Sequence, residues 1–88
     1  MLIATVVGSV VSTQKNENLI GCKLLIVRPQ NATGEPNGKD MVAVDFAGAG
    51  VGDKVLLCTG STARHMATKP NAPIDLGIVG IIDSMEVS

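Results

Sequence analysis

The opening stretch, Leu2 to Val11 (LIATVVGSVV), constrains the fold more than any other feature of this chain. It is rich in β-branched residues, and both of its alternating sets are mostly apolar: Leu2, Ala4, Val6 and Val10 on one face, Ile3, Val7 and Val11 on the other. A strand of this kind is buried on both faces. The far end of the chain repeats the pattern. Ile74 to Met85 (IDLGIVGIIDSM) reads as a strand with Ile78 and Ile82 on one face and Val79 and Ile81 on the other. The chain has 88 residues, enough for one domain spanning 1–88. A domain this small buries a modest share of its surface and is marginal alone unless it is stapled or oligomeric.

No staple is visible. The two cysteines, Cys22 and Cys58, lack CxxC spacing, and His65 is the single histidine, so neither a zinc site nor any other metal or cofactor is expected. Two reduced, buried thiols are the simpler reading, and they suit a reducing compartment. The hydrophobic share is 45% with Phe46 as the one aromatic, and charged residues make up 17%, against roughly 25% in an average soluble protein. Many small aliphatics with few charges leave more apolar surface than one small sphere hides, and association with identical copies is the natural outlet. The formal net charge of −1 gives no basic footprint for nucleic acid or anionic lipid. The apolar runs are far shorter than a membrane span, and the N-terminus lacks the positive region of a signal peptide, so no leader or anchor is expected.

Glycine and proline divide the remainder. Gly8 falls within the first strand, where glycine marks a bulge or sharp bend. Gln14 to Gly21 reads as a polar loop. Lys23 to Arg28 (KLLIVR) reads as a second strand that Pro29 ends, because proline cannot donate to a ladder. Gln30 to Asp40 (QNATGEPNGKD) reads as a solvated loop or a hairpin tip at Asn37-Gly38. Within it, Asn31-Ala32-Thr33 matches a glycosylation sequon, a chance match in a chain with no secretory signal. Met41 to Ala47 and Lys54 to Thr59 read as the third and fourth strands, joined by a corner carrying Gly48, Gly50 and Gly52. Ser61 to about Ala67 reads as a short helix capped by Ser61 or Thr62. Pro70 and Pro73 stiffen the connector to the last strand.

Five strands bent at glycines, with one short helix before the last, predict an all-β fold: a small closed barrel of the OB type. Such a barrel has one interior. The second apolar face of the first, fourth and fifth strands therefore has to meet something, and neighbouring copies are the simplest candidate.

The residues assemble no catalytic constellation. His65 has no nucleophile at a recognised spacing, and Asp45, Asp53, Asp75 and Asp83 are scattered near strand ends, where turn bonds and ion pairs account for them. OB barrels that hold single-stranded nucleic acid stack bases on aromatics in a cationic groove. One phenylalanine and an acidic balance do not supply that. The glycine corner is neither GxxxxGKS/T nor GxGxxG. Whether its glycines cradle a ligand or let protein surfaces approach closely stays open at this level.

Several stretches together carry a specific resemblance: Gly8 to Thr13 (GSVVST), Val42 to Gly50 (VAVDFAGAG), Gly52 to Leu57 (GDKVLL), Gly60 to Arg64 (GSTAR), Pro73 to Asp75 (PID) and Ile78 to Asp83 (IVGIID). In this order and spacing the chain resembles, over essentially its whole length, the EutN/CcmL family, the pentameric vertex proteins of bacterial microcompartment shells. Thr62 stands where the family more often has serine, and Phe46 where a smaller or more polar residue is common.

The resemblance implies an OB-like barrel assembling into a cyclic pentamer. Such a pentamer plugs the fivefold corners of a polyhedral shell, carboxysome or metabolosome, in the bacterial cytoplasm. Its expected partners are itself and the hexameric shell proteins of the same compartment, with no nucleic acid, membrane or cofactor. By resemblance, Gly48, Ala49, Gly50, Gly60, Ser61, Thr62, Ala63 and Arg64 are assembly or axial-opening positions, and which of the two runs lines the opening stays open at this level. Arg64 is expected to make an ion pair or a carbonyl contact across the subunit boundary, with a pair inside its own subunit as the alternative. The competing function is a small OB-type module for a ligand or single-stranded nucleic acid.

Overall fold

A computed structural model describes residues 1–12, 17, 21–60, 63 and 75–85. Five strands, β1 (Leu2–Val10), β2 (Leu24–Gln30), β3 (Met41–Asp45), β4 (Lys54–Thr59) and β5 (Leu76–Ile81), close into a barrel in the order β1-β2-β3-β5-β4. All neighbours are antiparallel except β3 and β5, which run parallel through Val44 opposite Gly77 and Asp45 opposite Ile78. The corner after β3 is therefore not a hairpin turn. It carries the chain past the place that β5 later fills.

The alternation read in the sequence becomes an inside and an outside. Ala4 and Val6 from β1, Leu25 and Val27 from β2, Ala43 from β3, Val55 and Leu57 from β4, and Leu76 and Ile78 from β5 fill the interior. Gly8 does mark a bulge: the β1–β2 register slips between Val6 and Gly8. Fully burying one such aliphatic side chain contributes about 1.5–3 kcal/mol, so this one interior supplies most of what holds a subunit together. A second, smaller cluster lies outside the barrel wall. Val44, Cys58 and Ala63 form it, with Cys22, Leu24, Phe46 and Val79 packed around them.

The expected boundaries hold for the fourth strand and shift elsewhere. β1 stops at Val10 rather than Val11, β3 at Asp45 rather than Ala47, and β5 covers Leu76–Ile81 rather than Ile74 to Met85. Pro29 does not end β2. It pairs opposite Ala4, and the strand continues to Gln30. The reason is directional. A strand residue's N–H and C=O point to the same side, and the Pro29 carbonyl accepts from Asn37 N at 2.8 Å, so the missing N–H faces the 31–40 loop and costs β1 no ladder bond.

That loop turns at Asn31 rather than at Asn37-Gly38. Asn31 Oδ1 accepts from Thr33 N, Thr33 Oγ1 and Glu35 N, and Gly34 N returns to Asn31 O at 3.0 Å. The sequon spacing thus serves as an Asx turn. The expected polar loop from Gln14 and the expected helix from Ser61 lie mostly outside the described residues. So does His65.

Candidate functional site

Two features of the described chain bear on function, the glycine corner and the outer wall of the barrel. The corner begins where Asp45 leaves the β3–β5 ladder. Its backbone N–H donates to Lys23 O at 2.9 Å, and its carboxylate, 2% exposed, accepts from Ala47 N at 3.0 Å and Gly48 N at 3.1 Å through Oδ1. Lys23 Nζ lies 3.7 Å from Asp45 Oδ2 and donates to the carbonyl of Ala49. Beyond the tip, Gly50 N donates to Asp53 Oδ2 at 2.8 Å and Asp53 N donates back to Gly50 O at 3.0 Å. The corner is then stitched to β1: Gly52 N donates to Val6 O at 2.8 Å, and Val6 N to Asp53 O at 2.9 Å.

This wiring decides what the sequence left open. A phosphate cradle needs several free N–H groups converging on one point. Here the N–H groups of Ala47, Gly48, Gly50, Gly52 and Asp53 are all donated within the chain, and Asp45 and Asp53 place carboxylates where an anion would sit. The corner is a clasp. Gly48 and Gly52 are there for conformation, with φ of +79° and +97° and no atom within 4 Å of where a Cβ would lie. Ala49 turns its methyl into the barrel interior, 1% exposed, and stoppers it.

Of the other positions singled out by resemblance, Gly60 takes φ +61° at the end of β4, its N–H donating to Asp75 O at 3.0 Å. Ala63 is fully buried in the outer cluster against Val44 and Cys58. The structure thus separates the two runs: the first clasps the corner to β1, and the described part of the second packs on the outer wall. Ser61, Thr62 and Arg64 lie outside the described residues. The expected roles of Asp45 and Asp53 as turn acceptors are what the geometry gives. Cys58 is buried and Cys22 half-buried, and neither is in a disulfide. Among the described residues no group of three or more His, Cys, Asp or Glu side chains is placed to hold a metal ion, and no helix is long and apolar enough to cross a membrane.

Sequence reasoning missed Gly77. A Cβ there would lie 2.7 Å from Phe46 Cε2 and 3.1 Å from Cδ2, so the ring rests on the bare β5 backbone. The one available signal was Phe46 itself, a bulky ring where the family resemblance leads one to expect something smaller.

The outer wall divides into a covered and an uncovered part. Phe46, Val79 and Leu24 lie in the outer cluster. Elsewhere Val42 is 52% exposed and Ile81 41%, while Ile3, Val7, Ile26 and Leu56 are half-buried. The Arg28 charge on this wall is neutralised locally: Arg28 Nε and Nη2 donate to Asp40 Oδ1 and Oδ2 at 2.9 and 3.1 Å. That hydrogen bond, with the charge attraction behind it, raises the Arg28 pKa and lowers that of Asp40. The wall is a largely apolar face.

The family model described as "Ethanolamine utilisation protein EutN/carboxysome" matches residues 1–83. The bacterial microcompartment shell vertex protein PduN of Salmonella typhimurium is 55% identical, over 97% of this chain and 98% of its own length. Among solved structures, the carboxysome subunit CcmL superposes with a TM-score of 0.93 at 43% identity, covering 100% of this chain and 92% of that one. The GrpN pentameric microcompartment shell protein from Rhodospirillum rubrum superposes with a TM-score of 0.91 at 42% identity, covering 100% of both. With a closed OB-like barrel, a clasped corner, an apolar outer wall and likeness along its whole length, the chain belongs to the EutN/CcmL family.

Proposed function

We propose that this protein is a structural, non-catalytic shell component. Five copies form a cyclic pentamer that occupies a fivefold vertex of a bacterial microcompartment in the bacterial cytoplasm. The observation that carries the reading is the full-length likeness to shell vertex proteins, a pentameric one among them. The physical chemistry agrees with it. A lattice of hexagonal tiles closes into a polyhedron only where fivefold units replace hexagons, and a rigid pentamer of small barrels supplies that unit. The uncovered outer wall supplies the association: each Å² of apolar surface removed from water contributes about 25 cal/mol, before the cost of ordering two bodies is subtracted.

The partners are the neighbouring copies and the hexameric shell proteins of the same compartment. Gly48, Ala49, Gly50, Gly60, Ser61, Thr62, Ala63 and Arg64 are the positions assigned to assembly and to the surroundings of the axial opening, with Arg64 contacting the adjacent subunit. The competing reading, an OB-type module for a ligand or single-stranded nucleic acid, meets a specific obstacle. Phe46, the one ring available for stacking, packs against Gly77 and Cys58 instead of standing free.

The test is co-expression with the hexameric shell proteins of a compartment. Closed shells in electron micrographs when this chain is present, and open tubes or sheets when it is omitted, are expected. Shells that close equally well without it, or a purified chain that retards single-stranded DNA in a salt-sensitive way, overturn the proposal.

A further inference from the structure

Gln30 closes β2 with its side chain on the outer wall, and one end of its amide is anchored: the Thr5 hydroxyl donates to Oε1 at 2.6 Å. The other end, Nε2, is withdrawn from solvent with no partner. An amide N–H group in that state is costly, and native proteins rarely leave one so. Gln30 also helps line a recess of about 230 Å³, together with Thr5, Val7, Arg28, Gly34 and Pro36.

The recess is smaller than the roughly 300–1,000 Å³ typical of sites that enclose a small-molecule ligand. It suits one side chain or a bend of main chain. It carries no net charge to select a free anion, since the Arg28 guanidinium is committed to Asp40 through Nε and Nη2. Val7 and Pro36 make apolar walls, and half-buried Ile3 and Ile26 belong to the same outer face. A neutral oxygen acceptor set among apolar atoms is what the lining complements.

Rings formed by rotation bring two different surfaces of neighbouring copies together, so each subunit carries a socket and, elsewhere, the part that enters it. We propose that this recess is the socket. On assembly, a neighbouring copy of this chain brings apolar atoms against Val7 and Pro36 and a carbonyl oxygen into the recess, toward which the Gln30 amide turns Nε2, completing a site that a single subunit leaves unfinished. The proposal rests on the pentameric reading above.

Mass photometry over a dilution series on the wild type, Gln30→Glu and Val7→Arg tests it, with circular dichroism as the check on folding. Gln30→Glu removes the donor and sets a negative charge against the incoming oxygen; Val7→Arg fills the recess. Both are expected to raise the concentration at which half the pentamer dissociates by roughly tenfold or more while the β spectrum is unchanged. The chain contains no tryptophan, so Pro36→Trp provides a rim reporter that stands even if the other variants do not fold. Its emission is expected to shift to the blue on assembly.

Folded variants that assemble at the wild-type concentration, or indole emission indifferent to assembly of a pentameric protein, overturn the socket and leave the pentamer standing. Emission that answers to added acetamide and not to protein concentration assigns the recess to a free carbonyl compound and also overturns it. A wild type that stays monomeric overturns the pentameric reading and the socket with it.

Discussion

Gly77→Ala isolates the packing of the outer cluster in a single methyl group. The added Cβ would sit 2.7 Å from Phe46 Cε2, 3.1 Å from Phe46 Cδ2 and 3.5 Å from Cys58 Sγ. Ordinary contact for such atoms is about 3.5–4.0 Å, so the ring has to retreat by most of an ångström. It retreats within a cluster whose other members are Val44, Cys58, Ala63, Cys22, Leu24 and Val79. Overpacking a well-filled site costs about 1–3 kcal/mol. Gly77 does not have a positive φ, so alanine meets no backbone strain there and returns about 0.4–1 kcal/mol by restricting the unfolded chain.

The net expectation is a loss of about 1–2 kcal/mol, equivalent to a fall of roughly 4–16 °C in Tm for a domain of this size. Thermal melts at one fixed protein concentration measure it, because assembly makes Tm depend on concentration. Phe46→Leu in the Gly77→Ala background removes the ring and is expected to recover part of the loss, with a coupling of about 0.5–3 kcal/mol in the double-mutant cycle. A Gly77→Ala protein as stable as wild type, or one that Phe46→Leu makes no better, refutes the proposed steric opposition.

Other perturbations follow from the corner and the wall. Asp45→Ala removes the acceptor of two N–H groups and the neighbour of Lys23. It is expected to cost about 1–3 kcal/mol and to speed amide hydrogen exchange at Ala47 and Gly48, whereas Asp45→Asn, which keeps a carbonyl oxygen, costs less. Gly52→Ala forces a side chain into a left-handed backbone at φ +97° and should lower stability by about 1–2 kcal/mol in a chemical melt. Asp40, its pKa lowered by the Arg28 hydrogen bond, contributes stability above the ordinary carboxylate pKa and loses it as pH falls through the lowered value. Asp40→Asn should therefore lower stability slightly at neutral pH, leave it unchanged in acid, and so flatten the acid limb of the stability profile. The effect is small, because water and salt screen both exposed partners.

How much of this was legible in the sequence depended on whether the deciding contact was local. β4 was read from Lys54 to Thr59, as observed, because alternation and flanking glycines fix it without reference to the rest of the chain. The bulge at Gly8 and the turn bonds of Asp45 and Asp53 are equally local. β2 was read too short because the cost of a proline depends on which side of the strand it faces, and only the Asn37 contact settles that. β3 was read too long because the Asp45 carboxylate takes the Ala47 and Gly48 N–H groups out of the ladder. Asn31 hid behind a motif that usually denotes glycosylation.

The place of β5 between β3 and β4 is not written in element order at all; it needed the fold. Gly77 against Phe46, and the Gln30 amide against Thr5, join residues far apart in the chain, and no spacing rule reaches them. The two runs assigned to assembly were visible as motifs. Their division, one clasping a corner onto β1 and the other packing on the outer wall through Ala63, needed the fold.

The central claim is that single barrels with uncovered apolar flanks exist to be joined in fives. The mass of the particle in solution tests it most directly. Native mass spectrometry across a dilution series should give one species at five times the subunit mass, dissociating only at the lowest concentrations. A folded monomer at physiological concentration, or a closed ring of any number other than five, would contradict it.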